Sequence, residues 1–294
     1  MGDPLEWLAD AAARRTALGL VRTLRARGPG DDGVLDLASN DYLGLSRHPA
    51  VVAAAVAATR AYGAGSTGSR LVTGSTALHD ELEEALAAST GMASALVFSS
   101  GYLANLGAVA ALTRPGDLVV SDNGNHASLV DACRLSRAEV VVVPHADPTA
   151  VERALVPGRR AMVVTDAVFS VDGELAPLVE LHAVVRRAGA LLLVDEAHAL
   201  GVLGPHGGGA CAAAGLAGEP DVVLTATLSK SLGSQGGVVL GPAPVRGHLI
   251  DTARPFVFDT GLAPASCAAA LAALGLVDQA RLAALRAATD DLAD

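Results

Sequence analysis

The sequence predicts an α/β fold: a mostly parallel seven-stranded sheet with one antiparallel strand, covered by helices on both faces. Three observations carry this. Seven short β-rich runs punctuate the middle of the chain, and they are continuously apolar, as strands covered on both faces are. Segments of helical character separate the first five, the alternation that builds a parallel sheet. The 294 residues are 51% hydrophobic and only 18% charged, enough to bury a large core and too apolar for global disorder.

Taken in order, residues 1–36 read as an N-terminal arm. Asp3, Glu6 and Asp10 exclude a signal peptide there. Pro29–Gly33 reads as a loop joining the arm to a large domain, 37–262. Helices are expected at Ala50–Arg60, with Pro49 at a first helical position, and at Ala77–Ala88, flanking a glycine-rich turn, Gly63–Gly74. Strands follow at Ala95–Phe98, Leu118–Val120, Val140–Val143, Ala161–Thr165, Ala190–Val194, Val222–Thr225 and Gly237–Leu240. Tyr102–Leu112, His126–Leu135 and Leu178–Ala188 read as helices between them. The gap from Thr225 to Gly237 is too short for a crossover helix, so the last strand is expected to run antiparallel to its sequence neighbour. Cys267–Ala288 reads as Ala/Leu-rich and helical, in a final segment, 263–294, that is the helical start of a further domain.

Composition removes several functions. A formal net charge of −10 opposes sequence-independent nucleic-acid binding, though a local pocket can still hold an anion. Cys133, Cys211 and Cys267 are odd in number and lack C-x-x-C spacing, which argues against a disulfide framework and a zinc site and for reduced thiols in the cytoplasm. No uncharged apolar run reaches the ~18–20 residues of a membrane span.

Of the 21 basic residues, only Lys230 is a lysine. Codon bias explains one leftover lysine; so does a task closed to arginine, such as a Schiff base with an aldehyde. Gly63–Gly68 matches the dinucleotide pattern G-x-G-x-x-G, but it follows a helix where that pattern needs a strand. Ser99-Ser100-Gly101-Tyr102 leaves a strand and opens a helix that includes Asn105, a place for an anion. Asp195 ends a fully apolar strand and needs a cationic partner, such as a protonated pyridine nitrogen; His198 follows three residues on. His126 follows another strand, where it either starts a helix or lies over an aromatic ring. Thr227 and Ser229 place hydroxyls beside Lys230. Taken singly, each residue has an ordinary structural reading. Together and in this order, each at a strand end, they make a site for pyridoxal 5′-phosphate (PLP).

These motifs resemble the α-oxoamine synthases, a group of the fold-type I PLP-dependent transferases. The matching blocks are Leu37–Ser46 (LASNDYLGLS), Gly68–Gly74, Phe98–Tyr102, Asn125–Asp131, Val168–Gly173, Val194–Gly201, Leu228–Gly237 and Phe258–Pro264. The resemblance implies that Lys230 carries the cofactor and moves the Cα proton, that Asp195 partners the pyridinium, that His198 contacts the ring hydroxyl and that His126 stacks on the ring. Gly101, Tyr102, Ser170 and Thr227 match cofactor contacts, Thr260 a phosphate contact made across a dimer interface, and Arg22, Asn40 and His126 substrate-side residues.

The implied reaction is a decarboxylative condensation of L-alanine with a pimeloyl thioester, on CoA or a carrier protein, as in biotin biosynthesis. The implied assembly is a cytoplasmic homodimer with its active site at the interface, using no metal, nucleic acid or membrane. Family members continue into a smaller C-terminal domain, which carries an arginine for the amino acid carboxylate. Asp294 falls near its expected start, so that domain is expected to be absent. The alternatives are a glycine C-acetyltransferase or 5-aminolevulinate synthase, a nicotinamide oxidoreductase using Gly63–Gly68, and a non-catalytic PLP-fold fragment.

Overall fold

The structure, a computed structural model, describes residues 3–29, 33 and 36–293 and divides the chain into two units, Met1–Ser39 and Asn40–Asp294. In the first, helix α1 (Trp7–Ala17) buries none of its residues. Arg22 lies in the exposed chain after it, and Arg27 pairs with Asp36 at 2.6 Å. Of the expected Pro29–Gly33 loop, residues 30–32 lie outside the described residues.

The second unit opens with α2 (Pro49–Tyr62), α3 (Ala77–Thr90), β1 (Ser94–Phe98), α4 (Gly101–Leu112), β2 (Leu118–Asp122), α5 (Ala127–Leu135) and β3 (Glu139–Val143). It continues with α6 (Pro148–Ala154), β4 (Ala161–Asp166), α7 (Leu178–Ala188), β5 (Leu191–Asp195), α8 (Ala210–Ala213), β6 (Val222–Thr227) and β7 (Gly237–Gly241). Four helices close it: α9 (Ala243–Thr252), α10 (Arg254–Val257), α11 (Pro264–Leu274) and α12 (Gln279–Ala293).

The strands form one sheet in the order β1-β7-β6-β5-β4-β2-β3. Only β7 is antiparallel to its neighbours, β1 and β6, as the short connection before it requires. Alternate residues face two cores. Val163, Leu192, Val194 and Leu224 point to the side packed by α2, α3, α7 and α11, and Met162, Val164, Leu193 and Val223 to the side packed by α4 and α5. Burial on both faces is why the runs are continuously apolar. β3 departs from that expectation. It pairs only with β2, and Val140 and Val142 are 38% and 60% exposed, as an edge position allows.

Helix ends follow local chemistry. His48 accepts the Ala50 N–H ahead of Pro49, and α3 starts at a capping box between Thr76 and His79. The helical stretch expected over Cys267–Ala288 comprises two helices, bent by 83°. Gly275 interrupts it, and the Asp278 carboxylate accepts the Arg281 N–H at 2.8 Å, starting α12 afresh. The glycine-rich turn serves packing. A Cβ on Gly74 would lie 2.1 Å from the Gly68 carbonyl, and Gly68 in turn accepts the Gly261 N–H. Gly63–Gly68 follows α2, not a strand, so it lacks the setting of a dinucleotide cradle. No single helix among the described residues is long and apolar enough to cross a membrane.

Candidate active site

Ligands bind open α/β sheets at the carboxyl ends of the strands. There β4, β5 and β6 end at Asp166, Asp195 and Thr227, and the turns after β1 and β2 deliver Gly101 and His126. A cavity of about 220 Å³ opens at this edge, and Gly101, Tyr102, His126, Ser170, Asp195, His198, Thr227 and Lys230 all line it. Residues up to 130 positions from each other in sequence thus share one hollow because the strand order brings their ends together. Ser100, Asn105, Ser128, Asp166, Ala197 and Ser229 complete the wall; sequence reasoning gave none of them a firm role.

Lys230 and His198 meet in the cavity, with Nζ 2.7 Å from Nε2. Nδ1 of His198 is 2.6 Å from the Tyr42 hydroxyl, which donates to Asn40 Oδ1 at 3.1 Å. One proton pattern satisfies all three contacts. Lys230 donates to Nε2, Nδ1–H donates to Tyr42, and Tyr42 donates to Asn40. Burial, then the Lys230 and His126 charges, push His198 down to about 4, which fits this neutral tautomer. Burial also lowers Lys230, against the raising fields of Asp195 and Asp166. Asn40 therefore reaches the site through Tyr42 and His198 and does not itself line the cavity.

Asp195 is buried. Its carboxylate accepts Asn105 Nδ2–H at 2.6 Å and the Ala197 N–H at 2.9 Å. Burial raises its pKa above the usual carboxylate range. No cation lies within ion-pair distance of it among the described residues, so it faces the cavity short of a counter-charge. Asn105 is the hub here. Its amide also donates to Ser128 at 2.8 Å, while its carbonyl accepts the Thr225 hydroxyl at 2.5 Å. A sequence signal existed, since Asn105 is a polar residue in the Ala/Leu/Gly run of α4. Ser128 contacts His126 Nδ1 through both its hydroxyl, at 2.7 Å, and its N–H, at 3.2 Å, fixing that ring at the start of α5.

Asp166 is the second buried acid. It pairs in register with Asp195 on the neighbouring parallel strand, so both carboxyls leave the same face, and it accepts the His126 N–H at 3.0 Å. Burial, then the Asp195 charge, push it up to about 8.

At the other wall, the Ser100 hydroxyl caps α4 by accepting the Leu103 N–H at 3.2 Å, which leaves a helix N-terminus facing the hollow. Close packing holds it there. A Cβ on Gly237 would lie 2.2 Å from the Ser100 carbonyl, and one on Gly101 would lie 3.0 Å from Thr227 Cβ. The Thr227 hydroxyl is held by Ser229 Oγ at 2.7 Å and by the Gly236 carbonyl at 3.0 Å. Thr260 stands apart from the cavity, exposed on the loop between α10 and α11. Arg22 belongs to the first unit.

The family model for class I and II aminotransferases matches residues 32–293. The chain is 67% identical over 273 residues to the 8-amino-7-oxononanoate synthase of Mycolicibacterium gilvum (strain PYR-GCK), covering 92% of this chain and 72% of that one. Among solved structures it resembles Sphingomonas wittichii serine palmitoyltransferase, with a TM-score of 0.87 and 34% identity, covering 95% of this chain and 74% of the other. It also resembles Francisella tularensis 8-amino-7-oxononanoate synthase, with a TM-score of 0.74 and 29% identity, covering 85% and 70%.

Proposed function

We infer the chemistry of the pocket from one premise: the chain belongs to the class I and II aminotransferase family and, within it, to the 8-amino-7-oxononanoate synthases. It is a PLP-dependent acyltransferase of biotin biosynthesis. The reaction condenses L-alanine with a pimeloyl thioester, giving 8-amino-7-oxononanoate, carbon dioxide and the free thiol carrier. The convergence of Lys230, His198 and Asp195 on one cavity is the observation that carries the residue roles below.

The residues present fit PLP. A buried carboxylate without a counter-cation among the described residues suits a protonated ring nitrogen. The N-terminus of α4, approached closely through Gly237 and Gly101, suits a phosphate. Lys230 is the chain's one lysine.

When bound, PLP supplies an aldehyde for an amine and a conjugated ring that accepts electrons from Cα. Lys230 would hold the cofactor through its amine and, once displaced by the amine of L-alanine, would remove the Cα proton and return one. Burial favours its neutral form, which a base needs. His198 keeps Nε2 turned to Lys230, with Tyr42 and Asn40 holding the ring from behind. Asp195 holds the proton on the ring nitrogen, its carboxylate aimed by Asn105 and Ala197. His126, fixed by Ser128, would cover the ring face. Gly101, Tyr102, Ser170 and Thr227 shape the cofactor wall, and Asn40 serves the substrate side.

A homodimer is part of the same reading, with Thr260 serving a partner subunit's phosphate. Its support is apolar exposure at loops that touch one another. Val72 and Phe258 are 79% and 72% exposed, and Gly261 ties their loops together through the Gly68 carbonyl. A cytoplasmic setting is supported by three buried free thiols, Cys133, Cys211 and Cys267.

Borohydride reduction of the holoenzyme tests the lysine. The peptide map is expected to carry PLP on Lys230. An adduct confined to the N-terminal amine refutes the assignment. Lys230→Arg keeps the charge and is expected to lose the adduct and turnover, because arginine does not release its proton.

A further inference from the structure

A second hollow of about 420 Å³ adjoins the reaction cavity, sharing Ser170 and His198 with it. Its walls are mostly apolar, with Val168 and Phe169 beside β4, Val202 and Leu203 after β5, and Leu285 on α12. The polar groups that α12 brings to it are Arg286, Thr289 and Asp290, on one helix face. Arg286 has no carboxylate within ion-pair distance among the described residues. None of these α12 residues was singled out by the sequence, and the mechanism above uses none of them.

Resting on the function proposed above, the geometry points to this slot as the subsite for the acyl chain of the thioester, with Arg286 receiving the carboxylate at the chain's far end. Three features select that occupant. The shared His198 and Ser170 put one end of it at the reacting centre. Apolar walls favour methylenes, whose removal from water is the main gain. An unpaired guanidinium at the slot wants an anion and binds a planar carboxylate well. L-Alanine is too short to use the slot, whereas an acyl chain ending in a carboxylate matches both its walls and its cation. Asp290 lines the same face and opposes an anion, so it sets an upper bound on the preference.

The test compares pimeloyl-CoA with heptanoyl-CoA, which has the same chain length and a methyl group in place of the carboxylate. The readout is the ratio of their kcat/KM values on the holoenzyme. Arg286→Leu is expected to lower this ratio about tenfold, through KM of pimeloyl-CoA, as loss of one charge-assisted contact does. Asp290→Asn is expected to raise it, and added salt to reduce it in the parent protein only. An equal loss with both thioesters would assign Arg286 to the CoA phosphates and overturn the inference, as would an unchanged ratio. Binding of pimelic acid monoamide and heptanamide, whose amides stand in for the thioester end, followed by NMR, keeps the test independent of turnover. The monoamide, with its far carboxylate, is expected to bind more weakly to Arg286→Leu, and the uncharged heptanamide equally. Failure of the proposed function would show instead as no product from either thioester, with the monoamide still preferring the protein that retains Arg286.

Discussion

Asp195→Asn keeps the size of the side chain and deletes its charge. The present carboxylate accepts two fixed donors, Asn105 Nδ2 at 2.6 Å and the Ala197 N–H at 2.9 Å. An asparagine amide has one acceptor oxygen for the pair, and its NH₂ must meet the other donor. Asn105 has no way to relieve this by turning, because its carbonyl holds Thr225 and its NH₂ also holds Ser128. One buried donor is left unpaired, a cost of about 1–3 kcal/mol, small enough for the domain to fold. The catalytic loss is larger. Deleting a preorganised charge at the site of developing charge costs about 10²–10³ in rate. The assay is loss of the L-alanine Cα proton to D₂O, followed by NMR, beside a calorimetric melting curve. A folded variant exchanging that proton at the parent rate would refute the role given to Asp195. The neighbour provides an internal check. The Asp195 charge helps to raise Asp166, so removing it is expected to move the Asp166 midpoint downward.

Asp166 also predicts a pH dependence. Its folded pKa of about 8 lies above the unfolded value, so the folded state holds an extra proton between the two and stability falls as pH rises across that window. Urea midpoints are expected to fall from about pH 5 to about pH 8 and then flatten, and Asp166→Asn is expected to lessen the slope; identical slopes would refute the buried-acid reading. Glu83→Ala removes the carboxylate that holds Arg70 at 2.9 Å, Arg246 at 2.8 Å and the Val97 N–H at 3.0 Å. With Arg70 left buried and unpaired, a loss of about 3–5 kcal/mol is expected in urea unfolding; a loss under about 1 kcal/mol would mean that solvent already screens the pair.

Local pattern was enough for the strands and for much of the cofactor wall. A strand buried on both faces must be apolar at consecutive positions, and β4, β5 and β6 announce themselves that way. The strand ends then mark where ligand groups belong, which is why Asp195, Thr227 and Gly101 were legible as a set. Lys230 was legible because no other lysine competes with it.

Tertiary structure decided what depends on which strands are neighbours. That Asp166 stands beside Asp195 follows from β4 pairing with β5 in register, and no local pattern encodes a register. Asn105 became the hub because α4 crosses the ends of β5 and β6, where its one amide reaches Asp195, Ser128 and Thr225 together. Tyr42 gained its place by reaching His198 across 156 positions of sequence. The exposed edge of β3 and the break between α11 and α12 were hidden for the same reason. Composition records which residues tolerate burial, whereas the partner that buries them, or leaves them open, is chosen only when distant segments meet.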